Sequence, residues 1–169
     1  MPFAYGVVPA VNFTTSATPN TEIDALFVAP KTAASGTAVR SVFVRAVNGV
    51  GKGAGLTALT GIVQRFKRWT TTASSGGTAI TPQPRASGTP AALCTSGGAT
   101  GGVTSGTGGP LYQAGFGHSA TGPGQWSDLG DVNKAIQIDG NLANSFDVFN
   151  ASGTASMVHE VTSVEIEEH

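Results

Sequence analysis

Ser145-Phe-Asp-Val-Phe-Asn-Ala-Ser-Gly-Thr-Ala-Ser-Met-Val-His-Glu-Val-Thr-Ser-Val-Glu-Ile-Glu-Glu168 decides the fold class. Over Ser145–Asn150, Phe146 and Val148 share one face while Asp147 and Phe149 share the other, a period of two that predicts a strand. Ala151-Ser-Gly153-Thr turns the chain, and Ser156–Glu168 returns as the last strand. Within it Met157, His159 and Val161 have one parity and Val164 and Ile166 the other. A β-bulge near Thr162-Ser163 would put all of them on one face. The alternative is a strand that leaves one sheet there and joins another.

Working upstream, Ala135–Ile138 meets Asp139-Gly140, a hairpin-turn signal. Leu111–His118 and Gln125–Leu129 read as short strands holding Tyr112, Phe116 and Trp126. Leu56–Thr72 reads as a long strand with Ile62, Val63, Phe66 and Trp69. Helix competes over Leu59–Arg68, but the threonine-rich flanks favour strand. Val39–Asn48 carries Val42, Phe43, Val44 and Val47, and Asn48-Gly49 with the glycines up to Gly55 reads as a flexible turn. Thr21–Ala29 alternates until Pro30 ends it.

Two segments resist assignment to regular structure. Residues 1–20 contain Pro2, Pro9 and Pro19, and proline lacks the N–H that a central strand requires. They read as an extended N-terminal arm or edge strand. Residues 81–109 hold Pro82, Pro84 and Pro90 and three Gly-Gly pairs, and read as a long surface loop that orders against a partner. The chain is thus expected to be an arm over 1–20 and one β-domain over 21–169.

Composition agrees. The chain has 169 residues, 24 of them Gly, and only 11% are charged. Leu, Glu and Lys are scarce, so helix surfaces are disfavoured. Seven to nine irregularly spaced strands with Gly/Pro-rich turns predict an all-β antiparallel β-sandwich or barrel, jelly-roll-like. So little charge favours an assembled state over a free monomer.

The charges also divide by position. Through residue 90 there are eight Lys/Arg and two acids, Glu22 and Asp24. Beyond it stand Lys134 alone and eight acids, Asp128, Asp131, Asp139, Asp147, Glu160, Glu165, Glu167 and Glu168. The halves carry about +6 and −7, which leaves the net −1. Two readings follow with equal standing. The halves form complementary surfaces for docking copies or a large partner, or they cancel across neighbouring strands within one chain.

Catalytic and metal motifs are wanting. Asn48-Gly-Val-Gly-Lys52-Gly has the look of a phosphate loop, but Ala46 and Gly53 stand where that motif needs Gly and Ser/Thr. His118, His159 and His169 have no metal-ligand spacing, and there is no nucleophile elbow. Asp128 and Asp131 lack the alternating oxygen ligands of a calcium loop. Cys94, the single cysteine, is a bystander thiol without His or acid nearby in sequence. The start reads as having no secretory signal, and no apolar run approaches the ~20 residues that span a membrane. The sequons Asn12-Phe-Thr14 and Asn150-Ala-Ser152 carry no weight without secretion. No catalytic residue, cofactor or metal is expected, and no enzyme.

Arg65-Phe-Lys-Arg-Trp69 is the most informative local cluster. Interleaved basic and aromatic side chains suit nucleic-acid grooves, but a pI near 6.3 argues against nucleic acid. A protein partner fits better, with Trp69 as anchor and Arg40, Arg45, Arg65, Lys67 and Arg68 as its charged surroundings. In the bland alternative Phe66 and Trp69 are core and the charges face water.

Phe146–Glu168 resembles the closing hairpin of small structural proteins of tailed-bacteriophage virions, and Trp69-Thr-Thr-Thr-Ala-Ser-Ser-Gly-Gly-Thr-Ala-Ile-Thr-Pro-Gln-Pro-Arg85 is similar to them as well. Many such proteins are head decoration, or cement, proteins. The resemblance covers about a quarter of the chain. It implies a non-enzymatic β-domain on the outside of an icosahedral phage head, a homotrimer bound to the major capsid protein, with no membrane or nucleic-acid contact. The alternative is a head-fibre, tail or baseplate module binding host-surface glycans through Trp126 and Tyr112.

Overall fold

A computed structural model describes residues 2–9, 13–14, 16–30, 40–51, 62–108, 114–118, 124–127, 135–140, 143–153 and 158–169. All regular structure among them is β: β1 Phe3–Val7, β2 Phe13–Thr14, β3 Ile23–Pro30, β4 Val42–Gly51, β5 Ile62–Trp69, β6 Ser75–Ala79, β7 Gln83–Pro84, β8 Cys94–Thr104, β9 Ala114–His118, β10 Gly124–Ser127, β11 Ile136–Ile138, β12 Ser145–Ser152 and β13 Val158–Glu168. They form two antiparallel sheets. Sheet A runs β10-β4-β13-β1-β7, with β11 also on β4 and β2 on β13. Sheet B runs β6-β8-β3-β12-β5-β9. The expected sandwich is what the chain forms.

The core lies between the sheets. Tyr5, Val7, Val42, Val44, Ile138, Val164 and Ile166 of sheet A face Leu26, Val28, Phe66, Phe146 and Val148 of sheet B, all essentially inaccessible to water. Burying each large apolar side chain contributes about 1.5–3 kcal/mol. The rings of Phe66 and Phe146 meet at 5.5 Å, with Phe66 set against Val148 on the neighbouring strand.

The anticipated bulge in β13 is present. Val161 opposes Gly49 and Ser163 opposes Asn48, so Thr162 is the extra residue. A second shift at Glu165/Ile166 reflects an extra residue in β4, Arg45, which lets Val42, Val44 and then Val47 all reach the core.

Other expectations are corrected. No two consecutive strands pair with one another among the described residues. Asp139-Gly140 is therefore not a hairpin turn, because it carries the chain from β11 in sheet A to β12 in sheet B. Phe146–Glu168 is not a hairpin either, since β12 and β13 lie in opposite sheets. Asn48-Gly49 continues β4 instead of turning it, held by β10 on one side and β13 on the other.

The N-terminal segment is not a free arm over Phe3–Val7. Between Pro2 and Pro9 every residue keeps its N–H, and β1 sits between β13 and β7 with Tyr5 and Val7 in the core. The segment 81–109 is likewise not a loop throughout, because β8 fills it from Cys94 to Thr104 and lies between β6 and β3. Glycine makes this possible. A Cβ on Gly97 would lie 2.5 Å from the Gly76 carbonyl oxygen and 2.7 Å from Phe27 Cε1, so only a bare backbone packs there. Leu56–Gly61, Tyr112, Asp128 and Asp131 lie outside the described residues, as do the side chains of Trp126, His118 and His159.

Candidate docking surface and a buried carboxyl pair

Strand β5 presents alternate residues to opposite faces. Phe66 and Arg68 point towards sheet A, where Arg68 Nη1 donates to the Gln137 carbonyl oxygen at 2.9 Å. Arg65, Lys67 and Trp69 point outwards. Beside them on β12, Phe149 meets Trp69 edge-on at 6.3 Å, and Lys67 Nζ stands 4.1 Å from the centre of the Phe149 ring. Glu22 bridges the two cations, at 2.5 Å to Arg65 and 2.7 Å to Lys67. Burial works to raise the Glu22 pKa, but hydrogen bonds from Lys67 and Arg65 outweigh it and hold the carboxyl below its ordinary range. Trp69 is half-buried, and the Arg65 side chain is 56% exposed. Trp69 is thus not core, while Phe66 is.

The cluster read from the sequence therefore divides. Arg65, Lys67 and Trp69 share one surface, Arg68 faces the other way, and Arg40 and Arg45 belong to sheet A. Arg40 pairs with the fully buried Glu168 at 3.2 Å and also lies over the Phe3 ring, and Arg45 pairs with Glu167 at 2.7 Å. Arg85 completes the series with Glu165 at 2.6 Å. Cancellation across strands is thus realised for three of the basic residues, each meeting an acid of β13. Glu167 also meets His169 at 3.2 Å. Burial opposes its ionisation, and the bonds from Arg45 and His169 prevail and lower its pKa. A pocket of about 250 Å³ lies along this charged ladder, over Ala4, Tyr5 and Ile166.

A second arrangement on the outer face of sheet B was not signalled by the sequence. The link from β5 to β6 must pass from one side of the sheet to the other, across β12, β3 and β8. Its residues Thr70–Thr72 donate backbone N–H groups to the Thr107 carbonyl, and Thr107 returns one to Thr72. Thr70–Ser74 and Ser105–Gly108 together make a strap over the sheet. Beneath it Asp24 of β3 and Asp147 of β12 are 7% and 0% exposed and close enough for each to shift the other's pKa. Both Asp147 oxygens accept hydroxyls, Oδ1 from Ser145 at 2.6 Å and Oδ2 from Ser74. Asp24 Oδ2 accepts from Ser105 at 2.7 Å. The strap backbone is tied in as well. Gly106 N–H donates to Ser74 Oγ at 2.7 Å, and Ser74 N–H to Ser145 Oγ at 3.0 Å.

Two carboxyls in contact away from water cannot both ionise cheaply. Burial first, then the bond to Asp147 and its charge, push Asp24 up to about 9, against the pull of Ser105 and Lys67. Burial also raises Asp147, opposed by the interactions with Asp24, Ser145, Ser74 and the Trp69 indole N–H. Period-two reading places Asp24 and Asp147 on strands but says nothing of which strands become neighbours. Among the described residues no group of three or more His, Cys, Asp or Glu converges as a metal site. Burial, then the Glu168 charge, raise the Cys94 thiol pKa. Comparison with known protein families, curated proteins and solved structures finds no match.

Proposed function

We propose that the chain is a non-enzymatic decoration, or cement, protein that binds the outer surface of a phage head and stabilises its capsomer joints as a homotrimer. The sequence resemblance over Trp69–Arg85 and Phe146–Glu168 supports this reading. The observation that carries it furthest is the Trp69–Phe149 pair on the outer face of sheet B, bordered by Lys67, Arg65 and Glu22. A half-buried aromatic centre with a charged rim is the anatomy of a protein-docking patch. Arg40, Arg45 and Arg85 lie away from this patch on β13 acids, so the partner is engaged through the aromatic centre, and Arg65, paired with Glu22 but 56% exposed, supplies orientation. Many copies of modest individual affinity then add up to substantial stabilisation of a shell.

Light scattering, alone and after mixing with shells stripped of their decoration, tests the reading. A trimer that co-sediments with shells is expected, and Arg65→Glu with Trp69→Ala should lower affinity by about 10- to 100-fold, as hot-spot losses do. A monodisperse monomer that ignores shells overturns the proposal. So does a folded double variant that binds as tightly as the parent.

A further inference from the structure

We propose that Asp24 and Asp147 form a one-proton latch that holds the Thr70–Ser74/Ser105–Gly108 strap down on sheet B and releases it when the shared proton leaves. The inference does not depend on the functional reading above.

The bonding pattern assigns the proton. Both oxygens of Asp147 receive hydroxyls, and a group surrounded by donors is the carboxylate. Asp24 receives one hydroxyl, and its Oδ1 is buried without a donor. An Oδ1–H on Asp24 donating to Asp147 satisfies the orphaned oxygen, while the buried Trp69 indole N–H is a further donor to Asp147.

The surrounding charges agree with a single proton. From β5 Lys67 faces the pair, and beyond it Glu22, just ahead of β3, and Arg65 share ion pairs. β6, β8 and the strap bring no charged residue at all. With Asp24 protonated, two anions, Asp147 and Glu22, meet two cations, Lys67 and Arg65. Loss of the proton leaves an uncompensated negative charge under the strap. Like-charge repulsion then acts on the groups that the strap serines hold, and opening to water relieves it.

The release reads out in the strap itself. Gly106 and Ser74 amides bond only through the latch hydroxyls, so their hydrogen-exchange protection reports on it. After correction for intrinsic base catalysis, protection of these two amides is expected to fall by up to tenfold per pH unit between about pH 5 and 9. Core amides of β12, which exchange only by a larger opening, should stay more protected than these two at every pH. Asp24→Asn keeps a side-chain N–H donor to Asp147 and cannot ionise, so its strap protection should be flat with pH.

Carbon-13 NMR of the aspartate carboxyls is a second measurement that needs no variant. One carboxyl of the pair should remain protonated at pH 7, and two ionised carboxyls there overturn the proposal. So does wild-type protection that is flat with pH, or an Asp24→Asn protein that follows the wild-type curve. A third arm adds calcium at pH 8. Protection restored by calcium in wild type and not in Asp24→Asn means that a cation neutralises the pair, which also overturns the latch.

Discussion

Replacing Glu168, the penultimate residue, should be among the most damaging changes in the chain. Its side chain is wholly buried at the end of β13. One oxygen accepts the Cys94 N–H at 2.7 Å, and both accept the Leu93 N–H, at 2.8 and 3.1 Å. Arg40 Nη1 approaches at 3.2 Å. This one carboxylate joins sheet A to the first residue of β8 in sheet B. Hydrogen bonds to charged groups contribute about 1.5–3 kcal/mol each, and a buried donor left without a partner costs about 1–3 kcal/mol. Glu168→Ala orphans two backbone donors and leaves Arg40 without its acid, so a loss of about 3–5 kcal/mol is expected. That is a large part of the 5–15 kcal/mol typical of a whole domain. Glu168→Gln keeps one acceptor oxygen but not the charge, and should lose about half as much. Urea unfolding followed by tryptophan fluorescence measures both. A fall in midpoint at constant slope is expected. A loss below about 1 kcal/mol in Glu168→Ala would refute the argument that this carboxylate bridges the sheets.

Four further outcomes follow. Stability should fall as pH rises from 5 to 8. Native Asp24 holds a proton that the unfolded chain, with a carboxyl pKa near 4, has already given up, so its contribution is complete only below about pH 4 and declines by up to about 1.4 kcal/mol per unit towards the native value of about 9. Glu22 and Glu167, whose native pKa values are lowered, act only below about pH 5, so equal urea midpoints at pH 5 and pH 8 would contradict the assignment. Gly97→Ala drives a methyl into the Gly76 carbonyl and the Phe27 ring and should lose about 1–3 kcal/mol, with β6 amides exchanging faster; unchanged exchange would show that β6 does not lean on that glycine. Phe66→Ala removes a fully buried ring and should lose about 3–5 kcal/mol in thermal or urea unfolding. Cys94 is buried with its thiol pKa raised, so native alkylation should proceed only at the rate of opening, and rapid labelling at neutral pH would contradict its burial.

Much of the class was legible because it is local. Alternation in β3 and β12, the Val/Phe run of β4 and the threonine-rich flanks of β5 identified these strands, and the parity break in the last strand located the Thr162 bulge. The turn signals misled for one reason. Asn48-Gly49 and Asp139-Gly140 suit hairpins, but among the described residues no two consecutive strands pair, and the first is absorbed into β4 while the second passes between the sheets. The candidate surface was half legible. Arg65, Lys67 and Trp69 share a face because β5 alternates, whereas the partners Glu22 and Phe149 come from other strands.

By itself, then, the sequence determined a helix-poor β-chain, most of its strand positions and the break in its last strand, because side-chain period and glycine content act over a few residues. Tertiary structure decided which strands meet, and with them everything that depends on neighbours. It made a strand of the glycine-rich β8, whose side chains are too small to announce one and whose backbone fits only against Phe27 and Gly76. It drew Phe3–Val7 into sheet A and matched Arg40, Arg45 and Arg85 to acids at the far end of the chain. It also set Asp24 against Asp147, 123 positions later in the sequence, where the loss of water makes two ordinary carboxyls share a proton.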